Sequence, residues 1–178
     1  MMILLAMLAC GPSSSDISRN LSSPNPVVRV DTAKISRNFG SDEVVEALIA
    51  SLDDDIKQVR LNAIESLAEL EAEEAVPALV ALLEAEEVSA AELRASVDAL
   101  GRLGDVQAVP VLIAYLEARE AAVPPLNAIW ALGNLEDHRA LEVLSRLRES
   151  KDPYVRWNAT LALRNLRQSV LCNMELKK

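Results

Sequence analysis

Asp152-Pro153-Tyr154-Val155-Arg156-Trp157-Asn158-Ala159-Thr160-Leu161-Ala162-Leu163-Arg164-Asn165-Leu166 is the stretch that decides the fold. It carries apolar residues at helical spacing behind an Asp-Pro start, and it recurs upstream. Val59-Arg60-Leu61-Asn62-Ala63-Ile64-Glu65-Ser66-Leu67-Ala68-Glu69-Leu70 is one copy, and Ala95 to Leu103 and Leu126 to Leu135 are two more. A worn fifth copy runs from Asn25-Pro26-Val27-Val28-Arg29 to Phe39-Gly40. The closing apolar residues Phe39, Leu70, Leu103, Leu135 and Leu166 are 31, 33, 32 and 31 residues apart. A near-constant period in this range marks a stacked repeat, in which each unit buries its apolar face against its neighbours.

Composition agrees. Of 178 residues, 51% are apolar but only 3% aromatic, so the core is filled by Ala, Leu and Val on closely packed helices. No segment alternates apolar and polar residues for long enough to build a sheet, and the expected class is all-α. Helices are expected at 42–52, 74–85, 106–118 and 138–149, alternating with 26–39, 56–70, 89–103, 123–135 and 153–166. Pro77 and Pro110 fall in first turns, where a missing N–H costs nothing. Ser36 stands where later copies have Leu67, Leu100, Leu132 and Leu163, which suits a polar terminal cap.

Net charge is −9, which argues against a nucleic-acid partner, since such binding rests on Lys and Arg neutralising phosphates. The charge is uneven: residues 42–122 hold 19 acidic and 5 basic side chains, and 138–178 hold 4 acidic and 9 basic. That asymmetry is either a solvated surface or a means of steering a charged partner.

Residues 1–9, Met-Met-Ile-Leu-Leu-Ala-Met-Leu-Ala, form a signal-like apolar segment, too short to span a bilayer, which takes about 20 apolar residues. Residues 10–25 are Ser-rich and expected as a tether. Met7-Leu8-Ala9-Cys10 resembles the lipobox of bacterial lipoproteins. The resemblance implies lipid attachment at Cys10, and Gly11 resembles the outer-membrane pattern. The alternative is an apolar N-terminus on a cytosolic protein. Residues 168–178 are expected as a capping tail whose Val170, Leu171 and Met174 close the last apolar edge, with Cys172 a buried thiol or, alternatively, a reactive one.

Asp152-Pro153-x-Val155-Arg156-x-x-Ala159, Asn25-Pro26-x-Val28-Arg29, Val59-Arg60-x-x-Ala63 and Leu100-Gly101-x-Leu103-Gly104-Asp105 resemble HEAT repeats, the short bacterial kind named after phycobilisome lyases. The resemblance covers residues 26–167. It implies a right-handed α-solenoid of about four helix pairs plus a degenerate first helix, with second-of-pair helices on the concave side. It also implies a structural ladder in which Arg29, Arg60 and Arg156 meet acids of neighbouring turns, such as Asp152.

Chemistry-bearing motifs are sparse. Asp53-Asp54-Asp55 and the acids at Glu84, Glu86 and Glu87 sit at helix ends, where carboxylates complement the dipole. His138 is the single histidine, in a turn. HEAT-like deoxyhypusine hydroxylases bind iron through His-Glu pairs, and this chain has no such dipeptide. No phosphate-cradling Gly loop or nucleophile elbow appears. The expectation is no enzyme, no metal and no cofactor.

With Val59, Ala63, Ser66, Leu67 and Leu70 turned inward at 3.6 residues per turn, Leu61, Asn62, Glu65 and Glu69 point outward. The equivalent outward rows are Asn62, Ala95, Asn127, Asn158; Glu65, Asp98, Trp130, Leu161; Glu69, Arg102, Asn134, Asn165; and Leu61, Arg94, Leu126, Trp157. Trp130, Trp157, Asn127, Asn134, Asn158 and Arg102 are therefore the expected partner-binding face. The other reading of each Trp is packing over a neighbouring helix or under the tail. The function expected is a non-catalytic protein-interaction scaffold, lipid-anchored in the outer membrane or periplasm and otherwise free of the membrane. An intracellular enzyme accessory, such as a bilin lyase-like protein, is the alternative, and a scaffold that binds nothing tightly is a third.

Overall fold

The computed structural model describes residues 11–119 and 124–175, with side chains placed through Leu166. Cys10 therefore lies outside the described residues, as does the side chain of Cys172. Ten α-helices and no strand occur among the described residues. The chain divides into two compact units, Met1–Ala75 and Val76–Lys178.

The first unit holds α1 (Ser14–Leu21), α2 (Pro26–Ile35), α3 (Asp42–Ala50) and α4 (Lys57–Glu69). Helix α1 corrects the expectation that residues 10–25 are all tether. Ser13 and Asp16 form a reciprocal capping box, and Ile17 and Leu21, four apart, are buried against α2 and α3. Only two apolar residues anchor this helix, which is why its Ser-rich exterior hid it. Helix α2 thus has a first-of-pair partner, and the degenerate single helix is a full pair. Ser36 is no exposed cap. It is fully buried and donates its hydroxyl to the Thr32 carbonyl at 2.7 Å, satisfying the one polar atom it brings to the core.

Helix α4 packs on α2 through Val59, Ala63 and Leu67, all fully buried as the helical wheel requires. Asn62 departs from that wheel. It is buried, and its Nδ2 donates across to the Val30 carbonyl of α2 at 2.9 Å. Ser66 makes the same kind of bridge, to the Ala33 carbonyl at 2.7 Å. Helix α4 ends in a left-handed residue, Glu71 (φ 54°), and the Ala72 N–H returns to the Leu67 carbonyl at 3.1 Å.

The second unit holds α5 (Val76–Glu84), α6 (Ala90–Leu103), α7 (Val109–Glu117), α8 (Leu126–Asn134), α9 (Leu141–Leu147) and α10 (Pro153–Glu175). Helices α5 and α6, α7 and α8, and α9 and α10 form antiparallel pairs, and α6, α8 and α10 stack side by side. Short 3-10 turns at Val106–Ala108 and His138–Ala140 precede α7 and α9, capped by Asp105 and Asp137 at equivalent repeat positions. Two glycines set how closely the stacked helices lie. A Cβ on Gly101 would fall 2.7 Å from that of Ala131, and one on Gly133 would fall 2.7 Å from that of Ala162. Backbones can only meet this closely where the side chain is a hydrogen. The break expected near residue 167 is absent, because the α10 backbone stays helical to Glu175.

The arginine ladder is partly corrected. Arg29 does bridge repeats, its Nε and Nη2 reaching Asp54 at 2.6 and 3.0 Å, with Asp55 also within 2.5 Å. Burial alone would raise the Asp54 pKa, but the Arg29 hydrogen bonds and the Ile56 N–H hold it below the usual carboxylate value. The feature common to Arg29, Arg60 and Arg156 is different. Each sends Nη1 to a carbonyl of the loop just before its own helix: Ser23 at 2.9 Å, Asp54 at 2.7 Å, and Ser150 and Lys151 both at 2.8 Å. The arginine clamps the turn within its own pair. Asp152, in turn, accepts from the Tyr154 and Val155 N–H groups at 2.7 and 3.4 Å, so it caps α10.

Candidate protein-binding groove

Helices α6, α8 and α10 of the second unit present the expected face. An open groove of about 470 Å3 is lined by Asp98, Arg102, Leu126, Asn127, Trp130 and Asn158. Four of the six residues picked from the sequence, Arg102, Asn127, Trp130 and Asn158, are thus brought together. Trp157 and Asn134 are exposed on α10 and α8 but do not line it.

Trp130 meets both of its readings in part. Its ring edge packs over Gly101, where a Cβ would lie 2.8 Å from Cζ3, yet 41% of the residue stays exposed. Gly101 therefore seats the ring as well as the helices. Covering the exposed portion would remove roughly 100 Å2 from water, about 2–3 kcal/mol. Trp157 is 65% exposed, and Tyr154, one turn earlier on α10 and not picked from the sequence, is 72% exposed.

The asparagines divide by role. Asn127 sends Nδ2 to the Arg94 carbonyl of α6 at 3.3 Å, repeating the Asn62 bridge two repeats further along, and its Oδ1 accepts from the Ala128 N–H at 3.0 Å. Its amide is largely spent on joining α8 to α6, so it serves as groove wall. Asn158 lines the groove and donates its Nδ2 to the Tyr154 carbonyl of its own helix at 2.8 Å. Asp98 and Leu126 were on the traced rows but not in the picked set. Asp98 shares the row of Trp130 on the neighbouring α6, and Leu126 lies one turn before Trp130 on α8; the helix stacking brings both to the groove.

No group of three or more His, Cys, Asp or Glu among the described residues could hold a metal ion. His138 is exposed beside Asp137, which is committed to Arg139 by bonds of 2.8 Å to each carboxylate oxygen.

Helix pairs repeated in one register, with second-of-pair helices stacked to expose a shared row, define an α-solenoid repeat protein. The chain belongs to the HEAT-repeat family, whose signature matches residues 17–95 and 89–164. No curated protein matches it. Among solved structures it is similar to the complex of CpcE and CpcF of phycocyanin lyase from Nostoc sp. PCC7120, at 24% identity and TM-score 0.74, covering 90% of this chain and 67% of that one. It is also similar to a designed armadillo repeat protein in complex with the peptide (KR)4, at 20% identity and TM-score 0.62, covering 85% and 81%. An engineered protein follows at 20% identity and TM-score 0.60, covering 87% and 79%. At these identities the likeness is one of fold.

Proposed function

We propose that this protein is a non-catalytic interaction scaffold that captures a protein partner in the groove around Trp130. The carrying observation is a half-exposed Trp set in a groove, with further exposed aromatics on the adjoining helix. Trp and Tyr supply large contact area at low entropic cost and anchor binding energy more often than most residues. A repeat neighbour that holds a peptide supports the same use of the fold. The scaffold is tethered to the cell envelope through lipidated Cys10, a reading that rests on Met7-Leu8-Ala9-Cys10 alone.

The test is crosslinked pull-down of the tagged protein from its native membrane fraction. Wild type should recover a specific partner, and Trp130→Ala with Trp157→Ala should lose it while circular dichroism stays helical. Unchanged capture by the folded double variant would place the contact face elsewhere. Cys10→Ser should move the protein to the soluble fraction, and a wild type already wholly soluble would end the lipid-anchor reading.

The similarity to the phycocyanin lyase complex favours a second reading, an accessory that handles an open-chain tetrapyrrole. Its sign is visible colour in the purified protein, or a visible absorbance shift when a bilin is added.

A further inference from the structure

The groove carries both signs of charge. Asp98 and Arg102 are its charged lining residues, both exposed, one helical turn apart on α6. At this spacing an acid preceding a base can pair with it. They do not: neither makes an ion pair or hydrogen bond among the described residues. Trp130 lines the same groove from α8, its ring edge over Gly101 between Asp98 and Arg102 in sequence, and an aromatic ring sharing a groove with a carboxylate is a seat for an ammonium or guanidinium. A guanidinium with its fork free is in turn a seat for a carboxylate.

We infer that the occupant of this groove is an extended peptide segment carrying one cationic and one anionic side chain two residues apart. The cation lies on Trp130 against Asp98, and the anion reaches Arg102. Spacing supports this. Residues one turn apart on a helix have Cβ atoms about 5–6 Å apart, and side chains on one face of an extended chain recur about every 7 Å. A ligand of a single sign leaves one of the two groove charges unanswered. This inference rests on the scaffold reading and narrows its partner.

The experiment follows Trp130 fluorescence in a Trp157→Phe background. The titrants are capped heptapeptides of one scaffold carrying Arg-Ala-Glu, Glu-Ala-Arg, Arg-Ala-Arg or Glu-Ala-Glu at the centre. One of the mixed-sign peptides should bind roughly three- to tenfold tighter than either single-sign peptide, as expected for partly exposed pairs. Asp98→Asn should erase its advantage over Glu-Ala-Glu, and Arg102→Gln its advantage over Arg-Ala-Arg. Neither change touches a buried or bonded group, so folding is preserved and is checked by thermal melt. Equal or tighter binding of Arg-Ala-Arg, with Trp130 still responding, overturns the mixed-sign inference and leaves the scaffold standing. Silence from all four peptides also overturns it, and the scaffold is then judged by the pull-down of the Trp130→Ala and Trp157→Ala variant.

Discussion

Glu71 and Glu136 are both left-handed, at φ 54° and 51°, and each directly follows the closing leucine of a repeat. Gly104 holds the equivalent place after Leu103, at φ 77°. The position demands the conformation that a Cβ makes costly by about 1–2 kcal/mol, while a glycine loses about 0.4–1 kcal/mol through the freer unfolded chain. Both glutamates are exposed, so replacing them removes strain without removing packing. Glu71→Gly and Glu136→Gly should each stabilise the protein by about 0.5–1 kcal/mol, a rise of roughly 1–4 °C in Tm by calorimetry. Asp137 gives a pH dependence. The Arg139 hydrogen bond, with the Arg139 N–H and its charge, outweighs burial and lowers the carboxyl to about 2. An aspartate in the unfolded chain titrates near 3.9. A depressed pKa adds stability that is full above the unfolded value and is lost as pH falls toward about 2. Melts of wild type and Asp137→Asn should therefore differ most near neutral pH and converge between about pH 4 and pH 2. A gap that stays constant through that window would show that the charge on Asp137 contributes nothing.

At the scale of the helix, spacing between neighbours is set by single atoms. Gly133 lies against Ala162, whose Cβ and Cα would be 2.7 and 2.8 Å from an added Cβ. Gly133→Val cannot be absorbed by rotating a flexible side chain, because one of the opposing atoms is backbone. It should destabilise by about 2 kcal/mol or more, read as a lower midpoint in urea. Since α8 carries Trp130 and α10 carries Asn158, whatever part of the fold survives should also have an altered groove. The contrasting case is α1, whose register rests on a capping box and two buried residues, Ile17 and Leu21. Propensity and periodicity are weak over eight residues, so this helix was not legible in the sequence, whereas α4, α6, α8 and α10 were.

Over the molecule as a whole, a net charge of −9 disfavours a polyanionic partner. A chain of net charge −9 releases few counterions from a duplex, and in a low-salt mobility assay it should leave duplex DNA unshifted. A shift there would mean that the basic segment after residue 138, with 9 basic and 4 acidic side chains, acts alone. Among the described residues no helix is long and apolar enough to cross a membrane.

The sequence by itself determined the all-α class, the repeat period and most of the helix spans, because a 3.6-residue apolar rhythm and Pro and Gly punctuation are local signals. It also put the outward rows in nearly the right phase, including Trp130 and Arg102. The tertiary structure alone decided which outward residues share a groove. That depends on how α6, α8 and α10 stack across the hydrogen-only gaps at Gly101 and Gly133. It alone showed that Asn62 and Asn127 give their amides to carbonyls on the second-of-pair helix of the preceding repeat, and that Arg60 and Arg156 clamp loops of their own pair. A polar side chain at the edge of a helical face has two partners within reach, water or the neighbouring backbone. Only the distance between the two helices selects one.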